Sequence, residues 1–308
     1  LRKWCGQYCC ALLPKVFVGF GRVIVLGVSA CGTGTPATAG LISVVAGENF
    51  WGSIASQLGG SRVSVHSVVT DPNADPHEYE TSTQDARAFA EADLVILNGA
   101  GYDNWGPALL DANSSSHRTV LTVAQLLGRK PGDNPHFWYH PGNVLTVADK
   151  ITAEYKVMDS GDASFFDQQR SAFTAALKPY TDRIAEVNSR YAGTPIGSTE
   201  SVFVDMAAAL GLNLISPPDF MAAMAQGTDP PASAVAKFHD QVAGRQIKVL
   251  VFNLQASSAL TASLRQLAQQ QKIPLVGVTE TLQPVGATFQ GWQTAQLTAL
   301  EAALASSA

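Results

Sequence analysis

The chain from residue 41 onward alternates between short apolar runs and amphipathic segments. The apolar runs are rich in β-branched residues and predict strands, whereas apolar positions spaced three and four apart predict helices. In the first half the predicted strands cover residues 41–46, 62–69 and 93–97, and the predicted helices cover 49–58, 83–90 and a segment from about 104. Strands that alternate with helices predict a parallel sheet covered on both faces.

A long, mostly helical region with dispersed charges follows at residues 144–191, and Pro179 predicts a kink or a break in it. The alternation then resumes. In the second half the predicted strands cover 195–198, 248–253 and 274–278, and the predicted helices cover 201–210, 232–242, 259–270 and a last helix that ends near 305. The predicted fold class is therefore α/β, with two Rossmann-like lobes of parallel sheets joined by a long connecting helix.

The N-terminal segment has a different pattern, which is typical of export. Basic residues precede an apolar stretch at 23–28, and small residues lead from it to Cys31. This order predicts a secretory signal peptide, and a cysteine directly after it resembles a bacterial lipobox, with Cys31 as the lipidated residue. The following residues are rich in Gly and Thr and predict a flexible tether. A buried N-terminal strand with an incidental cysteine is the alternative.

These patterns divide the chain into five predicted parts. They are a signal peptide (1–30), a lipidated tether (31–40), an N-terminal lobe (41–160), a connecting helix (161–192) and a C-terminal lobe (193–308). The other cysteines, Cys5, Cys9 and Cys10, lie within the predicted signal. The mature chain would therefore have no internal disulfide and no thiolate metal site, and any metal would be bound by nitrogen and oxygen.

Composition and charge exclude several classes of protein. Of the 308 residues, 46% are hydrophobic and 15% are charged, which describes a well-packed globular chain. The net charge of −5 provides no basic surface, and this argues against nucleic acid as a partner. No run after residue 40 is long and apolar enough to predict a membrane span.

Two Pro-His blocks, at residues 75–80 and 134–139, carry the most distinctive chemistry. Proline biases the preceding residue toward extended conformations, so the side chains of His77 and His136 are predicted to project from conformationally restricted loops. Two imidazoles on stiff loops suit a preformed metal site, because zinc and related cations bind neutral imidazole within narrow distances. Each block alone is equally compatible with an ordinary turn; the pair favours a metal.

Two carboxylates follow predicted strands directly. Glu200 and Glu280 each come after a threonine at a strand end, and in open α/β sheets ligands bind beyond the carboxyl ends of the strands. His77 also follows a predicted strand, whereas His136 lacks a clear one. The alternative for each glutamate is that it begins the next helix, where a carboxylate favours the positive end of the dipole. His140 precedes a proline and is compatible with the end of a turn.

Together these motifs resemble the solute-binding proteins of zinc and manganese ABC importers, the cluster A-I type that includes bacterial metal-binding lipoproteins. The resemblance covers about residues 41–305, and its motifs occur in the family's order and spacing. The motifs lie at residues 75–80, 92–95, 98–99, 101–105 and 134–138 in the first half and at 199–203, 227–231 and 277–281 in the second.

The resemblance implies a four-residue metal site shared by the two lobes. His77 and His136 match the two ligands of the first lobe. Glu200 matches a third position that is histidine or glutamate in the family, and Glu280 matches a fourth that is usually aspartate and sometimes glutamate. His140 departs from the family, which commonly has aspartate there, and is not expected to be a ligand. Two neutral imidazoles and two carboxylates cancel the charge of a divalent cation, which limits the cost of burying it. Each ligating histidine should donate its other N–H to a carbonyl or carboxylate.

The resemblance also implies a function. It predicts an extracytoplasmic, monomeric lipoprotein at the outer face of the cell membrane or in the periplasm, which captures Mn²⁺ or Zn²⁺ and delivers it to the permease and ATPase of an ABC importer. Glu200 in place of a third histidine suits manganese or iron(II), whereas zinc outranks manganese in intrinsic affinity at nitrogen and oxygen sites. The metal stays undecided, with a slight preference for manganese.

Two other functions compete with this prediction. A metal-dependent hydrolase would keep an open coordination position, whereas four ligands from four loops predict a closed site. The sequence also lacks a His-Glu-x-x-His motif, a Gly-x-Ser-x-Gly motif and a phosphate-binding Gly-Lys-Ser/Thr loop, so no enzymatic activity is predicted. The second alternative is a surface adhesin that uses the same fold.

Overall fold

The computed structural model describes residues 40–71 and 79–307 of the chain. His77, Cys31, the predicted signal and all but the last residue of the predicted tether lie outside the described residues. In the part that is described, no helix has the length and apolar character that crossing a membrane requires.

The first sheet is four-stranded and parallel, with the strand order β2-β1-β3-β4. Its strands are β1 (Ile42–Glu48), β2 (Val63–Val69), β3 (Leu94–Leu97) and β4 (Thr119–Thr122). The central strands β1 and β3 are buried almost throughout, as expected for a parallel sheet covered on both faces. The helices of this half are α1 (Asn49–Gly59), α2 (Thr83–Glu91), α3 (Trp105–Ala112) and α4 (Val123–Leu126).

Three helices connect the two sheets: α5 (Pro141–Met158), α6 (Ala163–Ala176) and α7 (Lys178–Tyr191). The connecting region predicted at residues 161–192 is helical, and it is divided as Pro179 predicts: residues 163–191 form two helices that meet at Leu177. Pro179 explains the break. It lies in the first turn of α7, where the missing proline N–H costs no helical hydrogen bond.

The second sheet repeats the first, with the parallel order β6-β5-β7-β8. Its strands are β5 (Pro195–Ser198), β6 (Asn213–Leu214), β7 (Leu250–Asn253) and β8 (Leu275–Val278). Its helices are α8 (Val204–Ala209), α9 (Pro218–Ala225), α10 (Ala232–Ala243), α11 (Ala259–Gln270) and α12 (Phe289–Ser306). The predicted class, two parallel-sheet α/β lobes, is confirmed.

The sequence pattern does not predict β4, β6, α4 or α9. Both strands lie at sheet edges, and β6 has only two residues, so neither produces the long apolar run that marks a central strand. α9 begins at Pro218, directly after another proline, in a segment that resembles a turn.

One apolar core extends through both halves. It includes Val44 of β1, Val251 of β7 and Trp292 of α12, all almost fully buried. Glu301 of α12 also forms ion pairs with Arg183 and Arg190 of α7, which fixes α12 against the connecting helices. The loops at the carboxyl ends of both sheets are thus held on a continuous core.

Candidate metal centre

His136, Glu200 and Glu280 converge, although they lie far apart in the sequence. One ligand atom from each lies within 4.8 Å of the other two. The Nε2 atom of His136 is 3.7 Å from Oε1 of Glu200 and 3.5 Å from Oε2 of Glu280, and all three residues are buried, with at most 2% exposed. The structure therefore brings together three of the four predicted metal ligands; the fourth, His77, is not among the described residues.

Both glutamates are positioned by strands of the second sheet. Glu200 is the second residue after β5 and Glu280 the second residue after β8, so both leave the carboxyl-terminal edge of that sheet. Glu200 does precede a short 3₁₀ helix (Ser201–Phe203), but its side chain makes no capping hydrogen bond there. The helix-start alternative thus does not account for the direction of this carboxylate.

The ring of His136 is oriented by Asn134. The Nδ1 atom of His136 lies 2.7 Å from Oδ1 of Asn134, and the Nδ2 group of the same amide donates to the backbone carbonyl of Ser201 at 3.2 Å. Because Nδ2 is the donating end, Oδ1 is the acceptor, and the hydrogen of the imidazole is on Nδ1. With a hydrogen on Nδ1, Nε2 is the ring nitrogen that can offer its lone pair to a metal, and it faces the two carboxylates.

The loop that carries His136 is tied to the first sheet through Asn98, the residue directly after β3. The amide of Asn98 donates to the carbonyl of Pro135 at 2.9 Å and accepts from the indole N–H of Trp51 at 3.1 Å. Asn98 is fully buried. These bonds fix the backbone next to His136 and so limit the positions of its ring.

Aromatic rings enclose the first-sheet side of the site. Trp138 stacks on Phe50 with ring centroids 3.8 Å apart, and its edge contacts place it 5.0 Å from Tyr102 and 5.3 Å from His136. Such pairs add about 0.5–1.5 kcal/mol each beyond the area they bury. The rings also exclude water, which strengthens electrostatic interactions at the site.

Neutral donors stabilise the two carboxylates. The Nδ2 group of Asn253, at the end of β7, donates to Oε2 of Glu200 at 2.8 Å and to Oε1 of Glu280 at 2.6 Å. The hydroxyl of Tyr102 donates to Oε2 of Glu280 at 2.7 Å. Gln255 accepts from the backbone N–H of Glu280 at 2.6 Å. The two carboxyl groups thus lie close together in a buried place and share the Asn253 amide as a hydrogen-bond donor.

A second acidic pair, Glu48 and Asp103, lies at the carboxyl ends of the central strands of the first sheet. Glu48, the last residue of β1, is buried, and burial together with repulsion by Asp103 raises its pKa well above the ordinary value of 4.5. Burial also raises the pKa of Asp103, although the backbone N–H groups of Gly99 and Asn98 donate to its carboxylate at 2.8 and 2.6 Å and oppose that shift. The raised pKa favours a protonated, uncharged Glu48 beside Asp103.

Tyr139 supports the Glu280 loop without reaching the carboxylates. Burial raises its pKa well above 10, so the phenol keeps its proton. It donates to the carbonyl of Thr279 at 2.7 Å, and Trp292 donates to the hydroxyl of the same threonine at 2.9 Å. The residue before Glu280 is therefore fixed from two sides.

His140 is a helix cap. It is the N-cap of α5, and its Nδ1 atom accepts from the backbone N–H of Asn143 at 3.3 Å. His140 is exposed, unlike the fully buried His136. It does not belong to the group of candidate ligands that the structure brings together.

The residues that orient the ligands have no role that the sequence pattern alone predicts. Asn98 and Asn253 each stand at the end of a central strand, and this position was the available signal. Tyr102 and Asn134 lie in motifs quoted for the family resemblance, but nothing local indicates their partners.

Comparison with known proteins agrees with this architecture. The family model described as zinc-uptake complex component A, periplasmic, matches residues 44–303. The manganese ABC transporter substrate-binding lipoprotein PsaA of Streptococcus mitis is 28% identical over 189 residues, which cover 57% of this chain and 59% of that protein. The manganese-binding lipoprotein MntA of Halalkalibacterium halodurans is 27% identical over 164 residues, 51% of this chain and 54% of that protein. The chain thus spans less than two thirds of the length of these relatives.

Solved structures share the fold at low sequence identity. The solute-binding protein FpvC of Pseudomonas aeruginosa, solved with Ni²⁺, superposes with a TM-score of 0.71 at 16% identity and covers 87% of this chain and 98% of its own. The periplasmic zinc-binding protein TroA of Treponema pallidum gives a TM-score of 0.70 at 17% identity, with 86% and 99% covered. At these identities the likeness establishes the fold alone.

Proposed function

The chain belongs to the family of the periplasmic zinc-uptake complex component A, and on this premise we propose that it captures a divalent transition metal outside the cytoplasm and delivers it to an ABC importer. The observation that carries the proposal is the buried convergence of His136, Glu200 and Glu280. The names of the curated relatives, which are substrate-binding lipoproteins of manganese and other metal ABC transporters, support it.

The proposed ligands are His77, His136, Glu200 and Glu280. Two neutral imidazoles and two carboxylates bring a divalent cation to zero net charge, so the ion can be buried without a residual charge. The orientation of His136 by Asn134 supports its assignment, because a ligating nitrogen needs the hydrogen on the other ring nitrogen.

Capture would join the two halves of the chain. His136 comes from the first half, whereas Glu200 and Glu280 come from strand ends of the second sheet, so the coordination shell is complete only when both halves are in place. A metal would then favour the closed arrangement over any arrangement that separates these ligands. We infer that release requires movement of the loops that carry the ligands, because α5, α6 and α7 tie the halves together.

The cellular setting follows from the same proposal. The protein would be anchored to the membrane through a lipid on Cys31, act as a monomer at the outer face of the cell membrane or in the periplasm, and pass its cargo to a permease and an ATPase. A hydrolase is disfavoured, because a closed site supplied by four protein ligands leaves no coordination position for a catalytic water.

Calorimetric titration of the metal-stripped protein with Zn²⁺ and with Mn²⁺ tests the proposal. One-to-one binding is expected, and His136→Ala and His77→Ala should each abolish it or weaken it by at least about tenfold. Glu301→Gln is the matched control, since it alters a carboxylate that pairs with Arg183 and Arg190 and leaves the proposed ligands intact. Absence of binding by the unaltered protein, or equal binding by the histidine variants, would contradict the proposal.

A further inference from the structure

We propose that Asn49, the first residue of α1, is a positioning residue for the candidate ligand Glu280: it holds the backbone two residues beyond Glu280 and so ties this carboxylate to the first half of the chain. The inference rests on the proposed function and deepens it, because it concerns how firmly the same site holds its metal. The effect of Asn49 passes through the backbone of residues 279–282, which we call the Glu280 segment.

The Glu280 segment is held by the oxygens of side-chain amides. Each of its four backbone N–H groups donates to such an oxygen. Oε1 of Gln296 accepts from the first residue at 2.8 Å, and Oε1 of Gln255 accepts from the second and third at 2.6 and 3.1 Å. Oδ1 of Asn49 accepts from the fourth, Leu282, at 3.0 Å. Because a backbone N–H only donates, the oxygen of each amide and not its nitrogen faces the segment.

Asn49 differs from the other two amides in its origin. Gln255 follows β7 and Gln296 lies in α12, so both belong to the same half of the chain as Glu280. Asn49 begins α1 directly after β1, and 233 positions separate it from Leu282. Of these three amides, Asn49 is therefore the one that fixes the Glu280 segment to the half that supplies His136.

Burial makes this bond important for the position of Glu280. The four residues of the Glu280 segment are at most 4% exposed, and Asn49 itself is half-buried. Without Asn49 the N–H of Leu282 would have to reach another acceptor or water by a shift of the backbone, because a buried N–H without a partner is costly. Such a shift would also move Glu280, which is only two residues away. Binding sites depend on ligand positions held within about 0.5 Å.

The tie at Asn49 begins a row of contacts along one face of α1. Asn49, Ser53 and Gln57 are spaced by four residues and lie on the same face. Oγ of Ser53 accepts at 3.0 Å from Phe289, the first N–H of α12, which has no acceptor within its own helix. Gln57 and Gln290 exchange two hydrogen bonds through their side-chain amides, at 3.2 and 2.7 Å. Thus α1 holds both ends of the loop that leads from β8 to α12.

The loop between these ties has room to move. Residues 282–288 border an open cavity of about 360 Å³, whose other walls are formed by α1 and by residues 65, 67 and 70 in and after β2. Close packing against α1 therefore does not fix this loop along its whole length. The hydrogen bonds at its ends, with Asn49 at the end next to Glu280, determine where it lies.

Hydrogen exchange in the metal-free, full-length protein tests the tie itself. Asn49→Leu removes the acceptor but keeps the approximate size of the side chain and favours a helix. The amide protons of residues 280–282 should then exchange at least about three times faster, the scale on which one hydrogen bond changes an equilibrium constant. Asn49→Asp, which keeps an acceptor at the same atom, should restore slow exchange.

Gln57→Leu is the matched control. It removes the contact with Gln290, which also joins α1 to the second half, but that contact lies ten residues beyond Glu280. Exchange at residues 280–282 should therefore stay as slow in this variant as in the unaltered protein. A general loosening of α1 would instead accelerate exchange in Gln57→Leu and Asn49→Leu alike.

Calorimetric titration with Zn²⁺ provides the second readout. The dissociation constant should rise by about three- to tenfold in Asn49→Leu, because the misplaced Glu280 segment costs about one hydrogen bond. Asn49→Asp and Gln57→Leu should bind Zn²⁺ as tightly as the unaltered protein. Rescue by the aspartate variant distinguishes the lost acceptor from a disturbance of α1.

The outcomes separate this inference from the function on which it rests. If the unaltered protein binds neither Zn²⁺ nor Mn²⁺, the proposed function fails and the inference fails with it. If the unaltered protein and Asn49→Leu bind Zn²⁺ equally tightly, or if Gln57→Leu weakens binding as much as Asn49→Leu does, the function stands and the role of Asn49 is wrong. Asn49→Ala replaces the leucine variant if that one does not fold. Exchange of the Leu282 amide proton in the unaltered protein as fast as in an exposed loop would also overturn the inference.

Discussion

Tyr102 donates its phenolic hydrogen to Oε2 of Glu280 over 2.7 Å, although 178 residues separate the two in the sequence. Tyr102 lies in the loop after β3 of the first sheet, and Glu280 lies in the loop after β8 of the second. Both are buried. This bond therefore connects the carboxyl ends of the two sheets at the candidate metal centre.

Tyr102→Phe removes this bond and keeps the ring that packs on Trp138. A hydrogen bond to a charged, buried group contributes about 1.5–3 kcal/mol, and we expect the metal-free protein to lose free energy of unfolding in that range. Urea unfolding of the metal-free protein measures it. Tyr155→Phe is the matched control, because Tyr155 donates to the neutral carbonyl of Ala55. Loss of that bond should lower the free energy of unfolding by about 0.5–1.5 kcal/mol. Equal losses in the two variants would contradict the special role of Tyr102.

Asn134→Leu should weaken zinc binding by about 10- to 100-fold, because the Nδ1 hydrogen of His136 loses its acceptor and the ring loses its fixed tautomer. Asn134→Asp keeps an acceptor at the same place and should retain most of the affinity. Calorimetric titration of both variants measures the difference. Equal weakening in both would assign the effect to the lost bond with Ser201 and not to the histidine.

Glu200→Gln and Glu280→Gln should each weaken metal binding by roughly tenfold or more while the fold remains intact. The amide keeps the shape of the carboxylate but removes the negative charge that offsets the cation. The dissociation constant for Zn²⁺ is the measurement, and thermal unfolding checks the fold. Affinity that stays unchanged in either variant would remove that residue from the coordination shell.

His140→Asp should leave the metal affinity unchanged. Aspartate is a preferred N-cap residue, so it can replace the bond that Nδ1 of His140 accepts from Asn143, and its charge suits the N-terminus of α5. We expect the free energy of unfolding to stay equal or to rise by less than about 1 kcal/mol. Loss of metal binding in this variant would show that His140 contributes to the site.

Glu48→Gln should flatten the pH dependence of stability. The pKa of Glu48 is raised in the folded state, mainly by burial, so the folded protein keeps a proton that the unfolded chain releases above about pH 4.5. Stability from this group is therefore complete below pH 4.5 and is lost as the pH rises through the folded-state pKa. Glutamine is neutral at every pH, so the free energy of unfolding of the variant should rise relative to that of the unaltered protein as the pH increases. Urea unfolding at pH 4, 6 and 8 checks this, and parallel curves would contradict it.

The order of the elements was predictable because each of them has a local signature. The apolar run of β3, the amphipathic spacing of α11 and the break before Pro179 can all be read within a dozen residues. The edge strands β4 and β6 could not be read in this way. They pair along one side, are short and only partly buried, and so depend on neighbouring strands for their conformation.

For the candidate site, local sequence patterns predict which ligand-type side chains stand at the carboxyl ends of the strands. Glu200 and Glu280 follow strands, and the Pro-His block places His136 on a stiff loop, because strand ends and proline loops are local properties. The folded chain alone reveals that His136 meets both carboxylates, which of their oxygens face it, and that Asn253 donates to the other two. Those contacts join residues dozens to more than a hundred positions apart, and they arise from the packing of two sheets, which no local pattern encodes.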